Sequence, residues 1–426
     1  MDKSHKDIII IGGGAAGLMA AIGAAKMGAR PTILEKMPRP ARKIMITGKG
    51  RCNFTNVKDW NDFAPNIRSK ASFIKKAFRD FKPEDVLSFF EENGLPYVVE
   101  RGGRAFPASY KASDVVDTLV RCAKEGGAEI LSGKEVSGIE KENDIFIASC
   151  LDGSTYSCRS LIIATGGLSY PSTGSSGDGY RFAEGFGHHV TPCFPSLTAL
   201  VPTGYKQSGA KGHIPRETPL SATGGRLCGV SLKNCGISLY AGNDLVQQEF
   251  GDIDFTDGGI EGPVGFAISR SAVKGMINGG KMKIVIDLKS AIEPDELESR
   301  IARLWKEFHN QNEVLSKLLP RSIMGAFLHT SSPLPKEPVK FIKALGTALK
   351  NWSFPLQGYV GYERCVVTAG GISTDEVSAH TMESSLCRNL YFCGEVLDID
   401  ANTGGYNLQC AFSTGLLAGM SAAARN

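Results

Sequence analysis

Four consecutive isoleucines, Ile8 to Ile11, run directly into Gly12-Gly13-Gly14, and no other stretch of the chain restricts its folding so tightly. An unbroken apolar run of this length suits a strand covered on both faces, as in a parallel sheet with helices on either side. Gly12, Gly14 and Gly17 fit G-x-G-x-x-G, and the following Leu18 to Met27 is helix-compatible and ends at Gly28. The first glycine permits the sharp strand-to-helix turn and the second lets a pyrophosphate approach the backbone. The third lets the helix pack closely, with phosphate at its positive end. The 18 uncharged residues from Ile8 to Ala25 also resemble a membrane span or signal peptide. Their interior, a strand, a tight turn and a small-residue helix start, argues for a buried dinucleotide-binding unit instead.

A second strand, Pro31 to Leu34, ends in Glu35, about 20 residues past the glycines, where an acid is placed to hold ribose hydroxyls. A carboxylate there repels a 2′-phosphate, so the expected ligand is FAD or NAD rather than NADP. The rest of the chain separates those two. Ser160 to Gly167 reads as another buried strand, and its LIIATGG resembles the A-T-G motif of two-dinucleotide flavoproteins. Ahead of it, Val136 in a short strand, the alternating Asp144 to Ser149 and the hairpin turn Asp152-Gly153 read as a small β-meander. Near the C-terminus a strand Leu390 to Cys393 meets Gly394-Glu395, and an apolar helix is expected from about Tyr406 to Ala423. A helix start stabilises the negative charge that a reduced flavin carries at its pyrimidine end. FAD is the favoured cofactor.

Length allows two or three domains in 426 residues. The expected fold class is α/β, a discontinuous Rossmann-like FAD/NAD(P)-binding domain with an inserted β-rich plus small helical domain. Residues 1–195 and 358–426 form the first, and 196–357 the substrate domain, divided as β-rich 196–290, helical 291–334 and return 335–357. Leu297, Ile301, Leu304, Trp305 and Phe308 share one face of a helix expected over Pro294 to Leu319. The net charge of +4 gives no warrant for a nucleic-acid footprint or a polybasic membrane patch. The middle is mildly basic, with 19 Lys and Arg against 15 Asp and Glu from Ser196 to Lys350. Eleven cysteines without a C-x-x-C pair read as reduced thiols in a cytoplasmic protein, and no second cluster joins His188-His189 as metal ligands.

Four longer blocks are more specific than the glycine fingerprint: KIMITGKGRCNFTN (Lys43 to Asn56), ATGGLSYPSTGSSGDGY (Ala164 to Tyr180), FTDGGIEGP (Phe255 to Pro263) and GEVLDIDANTGGYNLQ (Gly394 to Gln409). Together they resemble the bacterial BaiN/YhiN-like family of FAD-dependent oxidoreductases, which includes aminoacetone oxidase-type enzymes, over essentially the whole chain. The resemblance implies FAD held by Gly12, Gly14, Ala15, Ala16, Gly17, Glu35 and Lys36. It places Lys43, Gly50, Arg51, Cys52 and Asn53 near the flavin, and completes the site with Val136, Thr165, Gly166, Gly394, Glu395, Gly405, Asn407 and Leu408. The chain departs from the family pattern at Asp257, where His is usual, and at Ala401, where Gly is usual.

Read for chemistry, Gly48 and Gly50 make a turn in which Arg51, Asn53, Thr55 and Asn56 supply hydrogen-bond donors. Cys52 beside Arg51 is either a packed thiol or an activated thiolate. Arg101 and Arg104, flanking Gly102-Gly103, read as a solvated loop or as an anion-binding surface. Tyr170, Tyr406, His188, His189 and Glu363 qualify as acid/base groups by type alone, so the catalytic residues stay unassigned. With no second dinucleotide fingerprint and no redox dithiol, electrons reach the flavin directly. The leading expectation is NAD(P)H-dependent reduction of a small organic acceptor. Alternatives are an oxygen-dependent oxidase of a small amine, an RNA-modifying flavoprotein and a non-catalytic flavin-binding scaffold.

Overall fold

The computed structural model describes residues 4–425. The chain divides into two units: one runs through Phe194 and resumes at Val367, and the other is Pro195–Val366. Gly358 to Val366, expected with the nucleotide-binding part, therefore lie in the second unit.

The first unit is built on the isoleucine strand. Ser4–Ile11 pairs in parallel with Pro31–Glu35 on one side and Thr155–Ile163 on the other, and Pro31–Glu35 pairs in parallel with Glu129–Ser132. Ile8, Ile9 and Ile10 are wholly buried, as a strand covered on both faces requires. Along its other edge Thr155–Ile163 forks. Its first half pairs with Ile145–Cys150, which continues antiparallel to Val136–Glu142; its last residues pair in parallel with Leu390–Phe392. The expected meander is thus an extension of the main sheet, sharing a strand with it. The register aligns Ile11 with Leu34 and Ile163, and Ile163 with Phe392. Four chain segments consequently leave the sheet at one edge, which is where open α/β sheets bind ligands.

Helices Ala15–Lys26 and Tyr406–Ala423 pack backbone against backbone. A Cβ on Gly419 would lie 1.9 Å from the Ala20 carbonyl oxygen, one on Gly415 2.4 Å from that of Ala16, and one on Gly23 2.5 Å from that of Leu416. Glycine at these three positions brings the C-terminal helix against the first. The uncharged stretch at the N-terminus is thus a strand, a turn and a short helix; no helix among the described residues is long and apolar enough to cross a membrane.

The second unit holds six antiparallel strands that close on themselves: Leu200–Pro202, Ile260–Glu261, Asp244–Phe255, Ser231–Ala241, Met282–Asp287 and Trp352–Tyr359, the last pairing back to the first. Closure removes the free edges of a sheet. Its core includes Phe255, Trp352 and Phe354 in mutual aromatic contact, with Phe327 packed against Trp352. The 16-residue helix Gly262–Ile277 interrupts the segment expected to be β-rich, and Pro338–Lys350 is a helix where a plain return was expected. Their glycines and β-branched residues hide the helical period in the first case. The helix expected over Pro294 to Leu319 is two, Pro294–Phe308 and Gln311–Leu318. His309 takes a left-handed φ of 47° and Asn310 accepts from the amides of Asn312 and Glu313, so a new N-cap ends the first helix before Pro320 can. Leu297 and Ile301 are buried, and Trp305 packs against Phe341 at 5.1 Å, so the apolar face is core.

Candidate functional site

The glycine turn leaves the sheet at its ligand-binding edge. Gly12 has φ +99°, and a Cβ there would meet the Ala164 carbonyl oxygen at 2.7 Å. A Cβ on Gly17 would lie 1.9 Å from the Gly12 carbonyl, so Gly17 is what lets the helix start press against the turn. Gly14 differs: an added Cβ would have nothing within 4 Å. Its lack of a side chain serves no contact within the protein, and it caps the helix whose first amides lack intrahelical acceptors. That is a cradle suited to a pyrophosphate. Glu35, 8% exposed, accepts from the Gly13 amide through Oε2 and from the Met37 amide through Oε1, each at 2.7 Å. Burial pushes its carboxyl up, against the pull of those two amides. Lys36 donates to Asp178 at 2.6 Å and to Ser176.

Beside the turn, Gly394 approaches the first helix so closely that its Cβ would lie 2.6 Å from that of Ala16, and its amide donates to Thr414 at 3.0 Å. Glu395 then sits in a dense network. Oε2 accepts from Lys43 Nζ at 2.8 Å; Oε1 accepts from the Ser169 hydroxyl at 2.7 Å and the Thr368 amide at 2.9 Å. Lys43 also donates to Ser169 Oγ at 2.8 Å. Burial alone would raise the Glu395 carboxyl, but Lys43, Ser169 and the Thr368 amide hold it below the ordinary carboxylate range. Gly166 lies alongside, its Cβ position 3.9 Å from Lys43 Nζ. Ser169 and Thr368 were not singled out from sequence. Ser169 stands inside the ATGGLSYPSTG block, whereas Thr368 lies 199 residues further on and only the fold brings it here.

Two of the four blocks, Lys43 to Asn56 and Gly394 to Gln409, meet. Gly405 could not carry a Cβ, which would fall 2.3 Å from the Thr55 carbonyl oxygen, and Thr55 Oγ1 donates to Gln409 Oε1. Asn56 Nδ2 donates to the Gly404 carbonyl at 2.9 Å and the Gly102 carbonyl at 3.0 Å. Several residues expected at the flavin are occupied within the protein. Asn53 Nδ2 donates to the carbonyls of Thr55 and Ala105, and the Asn407 amide exchanges two hydrogen bonds with the Ala401 backbone. Ala401, where the family pattern carries Gly, is fully buried in that loop. Val136 and Leu408 are respectively a buried strand residue and a half-buried residue of the first turn of the C-terminal helix. Thr165 adjoins Gly12, which would put a Cβ 3.1 Å from its Cα.

The thiolate reading of Cys52 is overturned. Its side chain is wholly buried, and burial pushes the thiol up to about 12, so at neutral pH it is a packed, protonated group. The loop that holds it is strained, with left-handed φ at Gly48, Lys49, Gly50 and Cys52. Of the acid/base candidates, Tyr406 packs edge-on against Phe63 in the core. His188 is buried, with Nε2 2.7 Å from Ser384 Oγ and Nδ1 3.4 Å from Glu376. It begins the segment after the helix Asp178–Gly185 and pins it to the Glu376–Ser384 segment. His189 is exposed, and Glu363, in the second unit, faces His213 at 3.4 Å.

A Gly-rich turn at a helix start, an acid closing the second parallel strand and a returning Gly-Glu turn define a dinucleotide-binding unit of the flavoprotein kind, and these residues fit the cofactor. The chain belongs to the family described as HI0933-like protein Rossmann domain, whose model matches residues 6–421. It is a FAD-dependent oxidoreductase. Among its relatives, the 3-dehydro-bile acid delta(4,6)-reductase of Clostridium scindens is 30% identical over 98% of both chains. The ribosomal RNA dihydrouridine synthases of Haemophilus influenzae and Escherichia coli are each 31% identical, over 97% and 96% of both chains. In fold it is similar to a quinol-fumarate reductase at TM-score 0.52 and 16% identity, covering 100% of this chain and 72% of that one. It is similar also to a 3-ketosteroid delta1-dehydrogenase of Sterolibacterium denitrificans at TM-score 0.50 and 12% identity, covering both chains completely.

Proposed function

We propose that this enzyme uses NAD(P)H to reduce a carbon–carbon double bond conjugated to a carbonyl in a small organic acceptor. The observation that carries this reading is the agreement between relatives of different substrate. A delta(4,6)-reductase of a 3-dehydro-bile acid and a synthase of dihydrouridine both name saturation of such a bond, and each matches nearly the whole chain. The absence of a second dinucleotide fingerprint or a C-x-x-C pair in the sequence supports a donor that delivers electrons directly.

On this reading Gly12, Gly14, Ala15, Ala16 and Gly17 cradle the pyrophosphate and Glu35 the adenosine ribose. Bound FAD supplies hydride chemistry at N5. Lys43, through its ion pair with Glu395 and its bond to Ser169, fixes the Gly394-Glu395 turn and keeps a positive charge beside Gly166. The first turn of Tyr406–Ala423 presents unpaired amides to developing negative charge.

The test is an anaerobic absorbance titration with NADH and NADPH, followed by addition of a 3-oxo-Δ4 steroid as a model conjugated acceptor. Bleaching by a nicotinamide and recovery with the acceptor are expected. Flavin bands that persist with both donors but bleach with a small amine would replace the reading with that of an amine oxidase. A second reading, reduction of uridine in ribosomal RNA, is favoured by the two synthase relatives. Recovery of the bleached flavin with ribosomal RNA, and not with the steroid, would select it.

A further inference from the structure

Outside the network around Glu395, the first unit carries a second charged cluster, on the hairpin Tyr97–Glu100 and Arg104–Pro107. The Glu100 carboxylate is shared: Oε1 lies 3.3 Å from Arg51 Nη1 and Oε2 3.1 Å from Arg104 Nη2. Both guanidiniums also sit against the buried ring of Phe106, at 4.7 Å for Arg51 and 5.8 Å for Arg104, and Arg51 lies 5.6 Å from Tyr110. Arg104 Nε donates to the Arg101 carbonyl at 3.1 Å. Arg101 itself is exposed at the tip of the same turn, and no carboxylate pairs with it among the described residues.

The turn is rigidly mounted. Gly102 and Gly103 adopt φ of 82° and 75°, the Val57 amide donates to the Gly103 carbonyl at 2.8 Å, and Asn56 ties Gly102 to Gly404. Gly48, in the strained loop leading to Arg51, would place a Cβ 3.7 Å from the Phe106 ring. Arg51 and Arg104 thus share one carboxylate, and Arg101 on the same turn adds a third positive charge. A single carboxylate ligand would leave charge over, whereas a phosphate monoester, carrying about two negative charges near neutral pH, matches the excess. Guanidiniums are suited to phosphate because their planar N–H forks match its oxygens.

We infer that Arg51, Arg101 and Arg104 form a phosphate-monoester site, and that it takes the 2′-phosphate of NADPH. The second clause rests on the proposed nicotinamide donor. The Glu35 cradle is taken by the FAD adenosine on that reading, so the donor's 2′-phosphate has to be held at a separate place.

The experiment combines binding and reduction on the FAD-loaded protein. Calorimetry with adenosine 2′-phosphate, adenosine 5′-phosphate and inorganic phosphate reads the site, and anaerobic stopped-flow bleaching with NADPH and NADH reads the donor. Arg104→Gln is expected to weaken adenosine 2′-phosphate and NADPH roughly tenfold, the loss of one charge-assisted hydrogen bond, while NADH and the bound-flavin content stay unchanged. Arg101→Gln, at an exposed turn, gives the same reading if Arg104→Gln fails to fold. If both variants bind adenosine 2′-phosphate and phosphate as the parent does, the site is overturned. If the variants weaken both but neither nicotinamide bleaches the flavin, the phosphate site stands and the donor reading falls. Stronger binding of adenosine 5′-phosphate than of the 2′-isomer overturns the NADPH assignment and moves the site to a phosphorylated substrate.

Discussion

Replacing Gly14 by alanine separates what the glycine turn does for the fold from what it does for the cofactor. Gly14 has φ −77° and ψ −167°, which alanine adopts freely, and its new methyl would meet nothing within 4 Å. Alanine stabilises by about 0.4–1 kcal/mol through a less disordered unfolded chain. It loses a comparable amount because it is a poorer N-cap than glycine. The apoprotein should therefore melt within about 0.5 kcal/mol of the parent. Its methyl would instead stand where the pyrophosphate meets the helix amides. Loss of one charge-assisted hydrogen bond, about 1.5–3 kcal/mol, predicts roughly 10- to 100-fold weaker FAD binding. Gly17→Ala is the control: a Cβ 1.9 Å from the Gly12 carbonyl must be driven back to about 3.5 Å, moving the helix off the strand. Such overpacking costs about 1–3 kcal/mol in the apoprotein itself. Thermal unfolding of flavin-free protein and fluorescence titration with FAD distinguish the two. If Gly14→Ala bound FAD like the parent, the pyrophosphate would not lie on this turn and the cradle argument would be wrong.

Further outcomes follow from the same geometry. Lys43→Met leaves the Glu395 carboxylate partly buried without its cation and should destabilise by about 1–3 kcal/mol, with Lys43→Met/Glu395→Gln recovering part of the loss in chemical denaturation. Because Glu395 titrates below the ordinary carboxylate range, its contribution is full above that range and fades as pH falls through the depressed value; Glu395→Gln should flatten the acid limb of the stability profile. His188 is depressed by burial, against the pull of Glu376, so its neutral form supports the fold above about pH 6.5 and that support is lost as pH falls further. A His188→Gln variant whose melting temperature keeps the parent's pH dependence between 7 and 5 would contradict this. Cys52 should resist iodoacetamide in the native protein and react only on unfolding, whereas early labelling by peptide mapping would restore the thiolate reading.

The local chain already specified the nucleotide-binding frame. The isoleucine run, the three spaced glycines, Glu35 and the helix Tyr406–Ala423 all follow from periodicity and backbone sterics, which act over a few residues. The six-stranded closure of the second unit was not legible, because its short strands acquire their pairing only from partners up to 159 residues away, as Leu200 from Tyr359. Nor was the break at His309-Asn310, where one capping amide outweighed a continuous apolar face. At the site, residue type marked Lys43 and Glu395 but not their union, which depends on Ser169 and on Thr368 from a returning strand. Adjacency to Arg51 suggested an activated Cys52; desolvation in the folded core decided the opposite. Sequence alone determined the turn that can take a dinucleotide, since glycine's lack of a Cβ is a local property. Which polar groups share a carboxylate, and which thiol is shut away from water, only tertiary packing decided, because charge and burial depend on neighbours that the linear order does not reveal.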